Sequence, residues 1–324
     1  MGIFKEQDFQ GERTMNIPSE SSMAAQKPFT NSLRRIFHRE AVCGELTTII
    51  DGHKVNYIKA GKKGPVLLMI HGGGRDSAGE WSKEILELAK THQVYAPDLL
   101  GFGKSARPKV KYSIEYWTTF IEKFAEQQGL EKMHIIGKSM GGGIAINFAL
   151  RNKEKVDKLV LISPYGIFDK IGSPHLHHKL FLLLKIPVYS DYLMNKVYGK
   201  REFRLWVLKL FAPNPDAITE EEIRNFDKGQ GRDYWRPFIT FLKSEIRYNS
   251  LKSDFTKRLK DISVPTLLVC GEHDRIVAFE HAQRAHDLIP HSKLRWIRGT
   301  GHNVEEARKM EVLSGINDFL RRKE

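Results

Sequence analysis

A serine flanked by glycines joins an apolar run to a helical pattern near the middle of the chain. Residues 133–142 have the sequence M-H-I-I-G-K-S-M-G-G. The apolar run predicts a buried strand, and Gly137 and Gly141 let the backbone turn sharply into a helix without Cβ clashes. Such a turn presents Ser139 in a strained conformation and leaves the N–H of Met140 available as a donor. The pattern predicts a nucleophilic serine, and the alternative is a glycine-rich turn with an incidental serine.

Apolar runs of strand length alternate with helical patterns along most of the chain. Strands are predicted at residues 46–50, 54–59, 65–70, 93–96, 133–136, 158–162, 265–270 and 293–297. Helices are predicted at residues 80–90, 114–128, 142–151, 277–288 and 304–320. The Asp51-Gly52 pair predicts that a tight hairpin joins the first two strands. The alternation predicts an α/β fold, with a mostly parallel sheet covered by helices on both faces.

The alternation stops between the strands at 158–162 and 265–270, where only helical patterns interrupted by prolines occur. We interpret residues 164–263 as a helical cap inserted into a core formed by residues 39–163 and 264–324. Residues 1–38 lack periodicity and are expected to form a disordered extension. Residues 29–39 combine apolar and basic side chains. They are expected to dock as a helix on the body, or alternatively to contact an anionic membrane weakly.

The net charge of +13 arises from 52 Lys and Arg against 39 Asp and Glu. A basic surface attracts acidic partners, but no zinc finger, helix-turn-helix or RNA-binding motif accompanies it. We therefore expect a solubilising surface and no specific nucleic-acid partner. Cys43 and Cys270 are interpreted as thiols of a reducing compartment. Without an apolar run of membrane-spanning length or a signal-peptide pattern, the expected location is cytoplasmic.

Two later strand ends carry the side chains that a serine nucleophile needs. His302 follows the last predicted strand, and Asp274 follows the strand before it. A nucleophilic serine requires a base, and that base requires an orienting carboxylate. Because the carboxyl ends of parallel strands meet at one edge of a sheet, we predict a Ser139–His302–Asp274 triad there. Glu272 and Asp169 are the alternative acids.

The third predicted strand ends in His71-Gly72-Gly73-Gly74. Glycines at a strand end let backbone N–H groups approach a ligand closely, so the N–H groups of Gly73 and Met140 are predicted to form an oxyanion hole. One such donor stabilises a transition state by about 3 kcal/mol. The alternative is an ordinary glycine turn.

The predicted cap contains an apolar patch at residues 180–184 that exceeds what a solvated helix needs. We expect Phe181, Leu184 and, with weaker support, Trp235 to line an apolar substrate pocket. The alternative is that these side chains only pack the cap helices together. His175, His177 and His178 lack a neighbouring carboxylate or cysteine, so no metal and no other cofactor is expected.

Taken together, these motifs resemble the α/β-hydrolase superfamily over roughly residues 45–319. The motifs that carry the resemblance are His71-Gly72-Gly73-Gly74, residues 97–105 (P-D-L-L-G-F-G-K-S), residues 137–142, residues 271–277 and Gly301-His302. The set looks most like the capped enzymes that include meta-cleavage-product C–C hydrolases and monoacylglycerol lipases. The resemblance implies an α/β-hydrolase fold in which the serine attacks an ester or a vinylogous ketone and the cap sets specificity.

Three positions refine the resemblance. The C–C hydrolases usually have Asn where this chain has Lys138, and commonly Trp where it has Asn303. Epoxide hydrolases and haloalkane dehalogenases have Asp at the position of Ser139, which argues against both. We therefore expect a serine hydrolase that cleaves a carboxylic ester of a moderately apolar small molecule through an acyl-enzyme. The alternatives are a C–C bond hydrolase and a non-catalytic ligand-binding protein on a hydrolase scaffold.

Overall fold

The computed structural model describes residues 43–73, 78–185, 196, 200–212, 214, 216, 218–220 and 232–322. The predictions for residues 1–38 lie outside the described residues. So does Gly74, and so does the side chain of Trp235.

A single eight-stranded sheet forms the centre of the described residues. Its strands are β1 (Cys43–Ile50), β2 (His53–Ala60), β3 (Val66–Ile70), β4 (Gln93–Pro97), β5 (Met133–Lys138), β6 (Val156–Ile162), β7 (Thr266–Gly271) and β8 (Ser292–Ile297). Their order across the sheet is β1-β2-β4-β3-β5-β6-β7-β8. β2 runs antiparallel to both β1 and β4, and every later pairing is parallel. The prediction of a mostly parallel sheet is therefore confirmed.

The hairpin between β1 and β2 has the turn that its sequence predicts. Ile50 pairs with His53, which leaves Asp51 and Gly52 as the two loop residues. Both have positive φ, 48° for Asp51 and 75° for Gly52. A two-residue turn with positive φ at both positions matches the twist of the flanking strands, which is why Asp-Gly predicts it.

Helices cover both faces of the sheet. They are α1 (Ser82–Leu88), α2 (Ile114–Gln127), α3 (Met140–Arg151), α4 (Pro174–Lys185), α5 (Arg201–Phe211), α6 (Arg232–Glu245), α7 (Phe279–Leu288), α8 (Val304–Ala307) and α9 (Lys309–Arg321). One buried apolar cluster joins the sheet to α2, α3 and α7, and a second joins its other face to α1 and α9. Successive residues of β3 enter opposite clusters, because side chains alternate along a strand.

The chain between β6 and β7 contains α4, α5 and α6, together with a 3₁₀ helix at Thr256–Asp261. An isolated bridge between Ile246 and Leu251 also occurs there, which the purely helical expectation did not include. The interpretation of residues 164–263 as a cap remains a prediction. Among the described residues, no helix is long and apolar enough to cross a membrane.

Candidate active site

Ser139 lies between the end of β5 and the start of α3 with a strained backbone. Its φ is +49° and its ψ is −117°, a conformation that costs free energy for a residue with a side chain. The flanking glycines permit this turn through close packing. A Cβ atom on Gly137 would lie 2.5 Å from the carbonyl oxygen of Gly141, and one on Gly141 would lie 2.3 Å from that of Ile70. The helix therefore packs directly against the strand ends.

Backbone hydrogen bonds hold Ser139 in this conformation. Its N–H donates to the carbonyl of Ile162 at 2.9 Å. Its carbonyl accepts from the N–H groups of Tyr165 at 2.8 Å and Gly142 at 2.9 Å. The side chain remains partly exposed at the carboxyl edge of the sheet. The strained serine is thus fixed by the neighbouring strand end and by the first turn of its own helix.

The structure brings Ser139, His302 and Asp274 together in one hydrogen-bonded chain. His302 Nε2 lies 2.9 Å from Ser139 Oγ, and His302 Nδ1 lies 2.8 Å from Asp274 Oδ2. The other carboxylate oxygen of Asp274 accepts from the N–H groups of Ile276 at 2.8 Å and Val277 at 2.9 Å. The side chains of His302 and Asp274 are almost completely buried. This geometry suits proton transfer between a hydroxyl and an imidazole held by a carboxylate.

Electrostatics keep the Asp274 carboxylate ionised. Burial alone favours the neutral acid, but the His302 ring and the N–H groups of Val277 and Ile276 outweigh it, so the pKa of Asp274 lies below its ordinary value. A carboxylate beside Nδ1 requires that this nitrogen carry the hydrogen. His302 Nε2 is then the acceptor for the Ser139 hydroxyl.

The two alternative acids lie in other surroundings. Glu272 is exposed, and its carboxylate accepts from the N–H of Gly299 at 3.0 Å. Asp169 is half-buried and acts electrostatically on His281. The hydrogen bond from His302 therefore goes to Asp274, the acid of the predicted triad.

The end of β3 lies beside the serine turn. A Cβ atom on Gly72 would lie 3.4 Å from Ser139 Cβ, and one on Gly73 would lie 3.6 Å from Met140 Sδ. The N–H of Met140 is the first of α3 and has no acceptor within its helix. The structure thus places Gly72 against Ser139 and Gly73 against the side chain of Met140, and the oxyanion role of the Gly73 and Met140 N–H groups remains a prediction.

Phe238 on α6 also contacts this strand end, and sequence reasoning missed it. Its ring carbon Cε2 would lie 2.7 Å from a Cβ atom on Gly73, so the ring rests on the glycine itself. The preceding residue, Pro237, packs in the same way on Gly101. The neighbouring aromatic pair Tyr234-Trp235 is visible in the sequence, but helical periodicity alone does not say which turn of α6 contacts the sheet.

The predicted pocket residues occupy different places. Phe181 is half-buried, with its ring edge-on to Tyr248 at 5.6 Å and the Lys185 ammonium 6.0 Å from its centroid. Leu184 is buried in the cluster that joins the sheet to α2 and α3. The side chain of Trp235 lies outside the described residues. The pocket hypothesis for these three remains a prediction.

A buried ion pair joins the segments that carry Ser139 and His302. The ammonium of Lys138, the residue before Ser139, bonds to Glu305 Oε1, and both side chains are less than a tenth exposed. Glu305 lies on α8, three residues after His302. The pair therefore ties the end of the nucleophile strand to the helix that follows the histidine.

Within the described ranges, no three His, Cys, Asp or Glu residues are grouped as a metal site. His177 is buried instead among backbone groups. Its Nε2 lies 2.7 Å from the carbonyl of Arg247, and its Nδ1 accepts from the N–H of Ile171 at 3.3 Å. These bonds join α4 to the loop after α6.

Comparison with known proteins gives the same fold. The family profile described as "alpha/beta hydrolase fold" matches residues 65–205. The chain is 28% identical, over 276 residues, to 2-hydroxy-6-oxo-6-(2'-aminophenyl)hexa-2,4-dienoic acid hydrolase of Metapseudomonas resinovorans. That alignment covers 84% of this chain and 89% of the relative.

Two solved structures extend the comparison. A meta-cleavage product hydrolase from Pseudomonas fluorescens is similar with a TM-score of 0.69 and 25% identity, over 86% of this chain and 97% of that one. A bacterial membrane phospholipase A is similar with a TM-score of 0.68 and 25% identity, over 86% of each chain. That phospholipase is described as a virulence factor. The predicted α/β-hydrolase fold is therefore confirmed.

Proposed function

Because this chain has the α/β-hydrolase fold, we propose that it is a serine hydrolase that cleaves a carboxylic ester of a moderately apolar small molecule through an acyl-enzyme. The observation that carries the proposal is the hydrogen-bonded chain from Ser139 through His302 to Asp274. The strained backbone of the serine supports it further, since strain of this kind is retained where function requires it.

Acylation begins when Ser139 Oγ attacks the ester carbonyl carbon and His302 Nε2 takes the hydroxyl proton. The carbonyl oxygen becomes an oxyanion, which the N–H groups of Gly73 and Met140 stabilise. Asp274 holds the imidazole and stabilises its cationic form. When the C–O bond to the alcohol breaks, His302 returns the proton to the leaving oxygen, and the acyl group stays on Ser139.

Deacylation repeats these steps with water as the nucleophile. His302 removes a proton from water as its oxygen attacks the acyl carbon, and the same two N–H groups stabilise the second oxyanion. Collapse breaks the bond to Ser139, which recovers its proton from His302. The products are a carboxylic acid and an alcohol. Because His302 carries the transferred proton in both halves, this cycle uses no cofactor.

A second candidate is hydrolysis of a C–C bond beside a vinylogous ketone. The names of relatives favour it, because three similar proteins are hydrolases of 2-hydroxy-6-oxo-dienoates with 25% to 28% identity. Lys138 and Asn303 favour the ester instead, since they replace the Asn and Trp that such hydrolases commonly carry. The same three catalytic side chains would serve either reaction.

Fluorophosphonate labelling combined with an ester series tests the proposal. We expect the wild-type protein to be labelled on Ser139 and to hydrolyse p-nitrophenyl esters. Ser139→Ala should lose both properties without losing stability, because the partly exposed hydroxyl fills no core space. Labelling of Ser139→Ala on another serine, with turnover retained, would overturn the assignment.

A coloured dienone substrate separates the two candidates. Faster turnover of esters than of the dienone supports the proposed activity, and the reverse order supports the C–C hydrolase. If the folded wild-type protein were not labelled by the fluorophosphonate and turned over neither the esters nor the dienone, a non-catalytic ligand-binding protein would be favoured.

A further inference from the structure

His71 lies at the end of β3 with no exposed surface and bonds to two separate backbone segments. Its Nε2 accepts from the N–H of Leu99 at 2.9 Å. Its Nδ1 lies 2.7 Å from the carbonyl oxygen of Gly72. Since Leu99 supplies the hydrogen to Nε2, the neutral ring carries its own hydrogen on Nδ1 and donates it to Gly72.

The bond to Gly72 also fixes the adjoining donor. The carbonyl of Gly72 and the N–H of Gly73 belong to one planar peptide group, so the direction of one sets the direction of the other. A hydrogen bond that holds the Gly72 oxygen on the His71 side therefore holds the Gly73 hydrogen in the opposite direction. That hydrogen belongs to one of the two donors assigned to the oxyanion hole.

Asp98, the residue before Leu99, bonds to the described chain beyond residues 74–77. Asp98 is 1% exposed, and its Oδ1 accepts from the N–H of Ala78 at 2.9 Å. Its Oδ2 accepts from the side chain of Asn56 at 2.9 Å and from the N–H of Lys104 at 2.8 Å. Two adjacent residues that follow β4 thus bond to the described chain on either side of residues 74–77: Leu99 bonds to His71, and Asp98 bonds to Ala78.

We propose that His71 and Asp98 are positioning residues that hold the Gly73 N–H in its oxyanion-binding direction. This inference rests on the proposed function. The inference assigns a structural role to residues 97–105, which take no direct part in the catalytic cycle described above. Ser105 completes the support, because its hydroxyl donates to the carbonyl of Asp98 at 2.7 Å and accepts from the N–H of Asn56 at 2.9 Å.

Two substitutions of His71 separate its two bonds. In His71→Asn the amide nitrogen takes the place of Nδ1, so the bond to Gly72 can persist while the bond from Leu99 is lost. In His71→Gln the amide oxygen takes the place of Nε2, so the opposite bond persists. Removing an oxyanion donor costs about 100-fold to 1,000-fold in kcat. We expect His71→Gln to approach that loss with little change in KM, and His71→Asn to lose about tenfold or less.

Inhibitor affinity gives a readout that stability alone does not move. A trifluoromethyl ketone becomes an oxyanion when it adds to Ser139, so its affinity should fall in parallel with kcat in His71→Gln. Asp98→Asn should lower inhibitor affinity and kcat by a smaller factor, because Asp98 bonds to Ala78 and not to the Gly72–Gly73 peptide. His177→Gln is the matched control. That histidine is also buried, with one ring nitrogen facing a carbonyl and the other accepting a backbone N–H. It should lower Tm without a selective loss of inhibitor affinity.

Two results would overturn the inference. One is a folded His71→Gln protein whose kcat and inhibitor affinity stay within about threefold of wild type. The other is a loss in His177→Gln that matches His71→Gln at equal Tm. If Ser139→Ala is inactive and unlabelled in the same assays, either result rejects the positioning role and leaves the proposed function standing. An active Ser139→Ala would instead reject the proposed function.

Discussion

At the scale of single residues, Asp274 has a different partner for each carboxylate oxygen. One oxygen accepts two backbone N–H groups, and the other faces His302 Nδ1. Asp274→Asn keeps the shape but must either turn its NH₂ toward the backbone donors or present it to Nδ1. The second arrangement favours the wrong imidazole tautomer. We expect kcat for ester hydrolysis to fall by up to about 10⁴-fold, measured at saturating substrate.

Asp169→Asn and Glu272→Gln are the controls for this substitution. Both residues follow strand ends in the sequence, but the hydrogen bond of His302 Nδ1 goes to Asp274. Each variant should retain kcat within about a factor of three of wild type. A nearly silent Asp274→Asn together with an inactive Asp169→Asn would move the acid to the end of β6.

The Lys138–Glu305 pair gives a second prediction at this scale. Removing one charge leaves the other buried without its partner, so Lys138→Met should lower the free energy of unfolding by about 3–5 kcal/mol. Combining it with Glu305→Leu removes both charges and should recover most of that loss. Urea denaturation of the single and double variants measures the coupling.

An exposed ion pair provides the comparison. Lys132 Nζ lies 2.9 Å from Asp157 Oδ1, and the two side chains are 64% and 42% exposed, so Lys132→Met should change stability by less than about 1 kcal/mol. If Lys138→Met were equally mild, or if the double variant were no more stable than the single, the buried pair would not hold the segments that carry Ser139 and His302 together.

Sequence reasoning found the residues whose role follows from their order along the chain. Ser139, His302 and Asp274 each follow an apolar run, and parallel strands bring such ends to one edge. Lys138 and Glu305 were not found as a pair. Their contact depends on the direction of the Lys138 side chain at the end of its strand and of the Glu305 side chain on a helix far away in the sequence. Hydrophobic periodicity along the sequence does not contain that information.

At the scale of elements, strands were predicted well and helix ends less well. The predicted helix at residues 304–320 is two helices, α8 and α9, separated at Arg308 with φ −131° and ψ 49°. No glycine or proline marks this break. Helix α8 carries Glu305 toward Lys138, whereas α9 packs its own apolar face on the sheet. Tertiary packing at these two sites thus overrides a continuous helical propensity.

Phe238 on helix α6 packs directly on Gly73, and this contact between elements leads to the next prediction. A methyl group at Gly73 would overlap the ring, so Gly73→Ala should lower kcat/KM strongly. Phe238→Ala in the same chain should restore much of the loss by removing the obstacle. Alone, Phe238→Ala should shift kcat/KM between short and bulky acyl esters by about 1–3 kcal/mol. An ester series from acetyl to dodecanoyl measures each shift.

Phe181→Ala and Leu184→Ala in the same series test the earlier pocket hypothesis. A wall residue changes chain-length preference, whereas a packing residue lowers Tm and affects all esters alike. The contacts of Phe181 with Tyr248 and Lys185, and the buried place of Leu184, favour the packing role. If Phe238→Ala did not restore the kcat/KM lost in Gly73→Ala, the inference that Phe238 lies at the active site would be rejected.

At the scale of the whole molecule, the carboxyl edge of the sheet carries the candidate triad, and the opposite edge carries a buried pair of histidines. Ser139 follows the last residue of β5, whereas His134 is the second residue of the same strand. His134 and His92 form a buried pair of imidazoles, with ring centroids 5.8 Å apart. Burial, followed by the charge of His92, lowers the pKa of His134 to about 4, and burial also lowers the pKa of His92.

The lowered pKa values of these two histidines predict how the free energy of unfolding changes with pH. The unfolded chain protonates His134 near its ordinary pKa of about 6.5, whereas the folded chain does so only near 4. Between these values the unfolded state binds more protons, so the free energy of unfolding falls as pH falls. We expect Tm to decrease from pH 7 to pH 4, and His134→Phe to flatten that decrease. His175→Gln, at an exposed histidine, is the control and should leave the slope unchanged. A slope that His134→Phe leaves as steep as in the wild type would show that acid destabilisation arises from other groups.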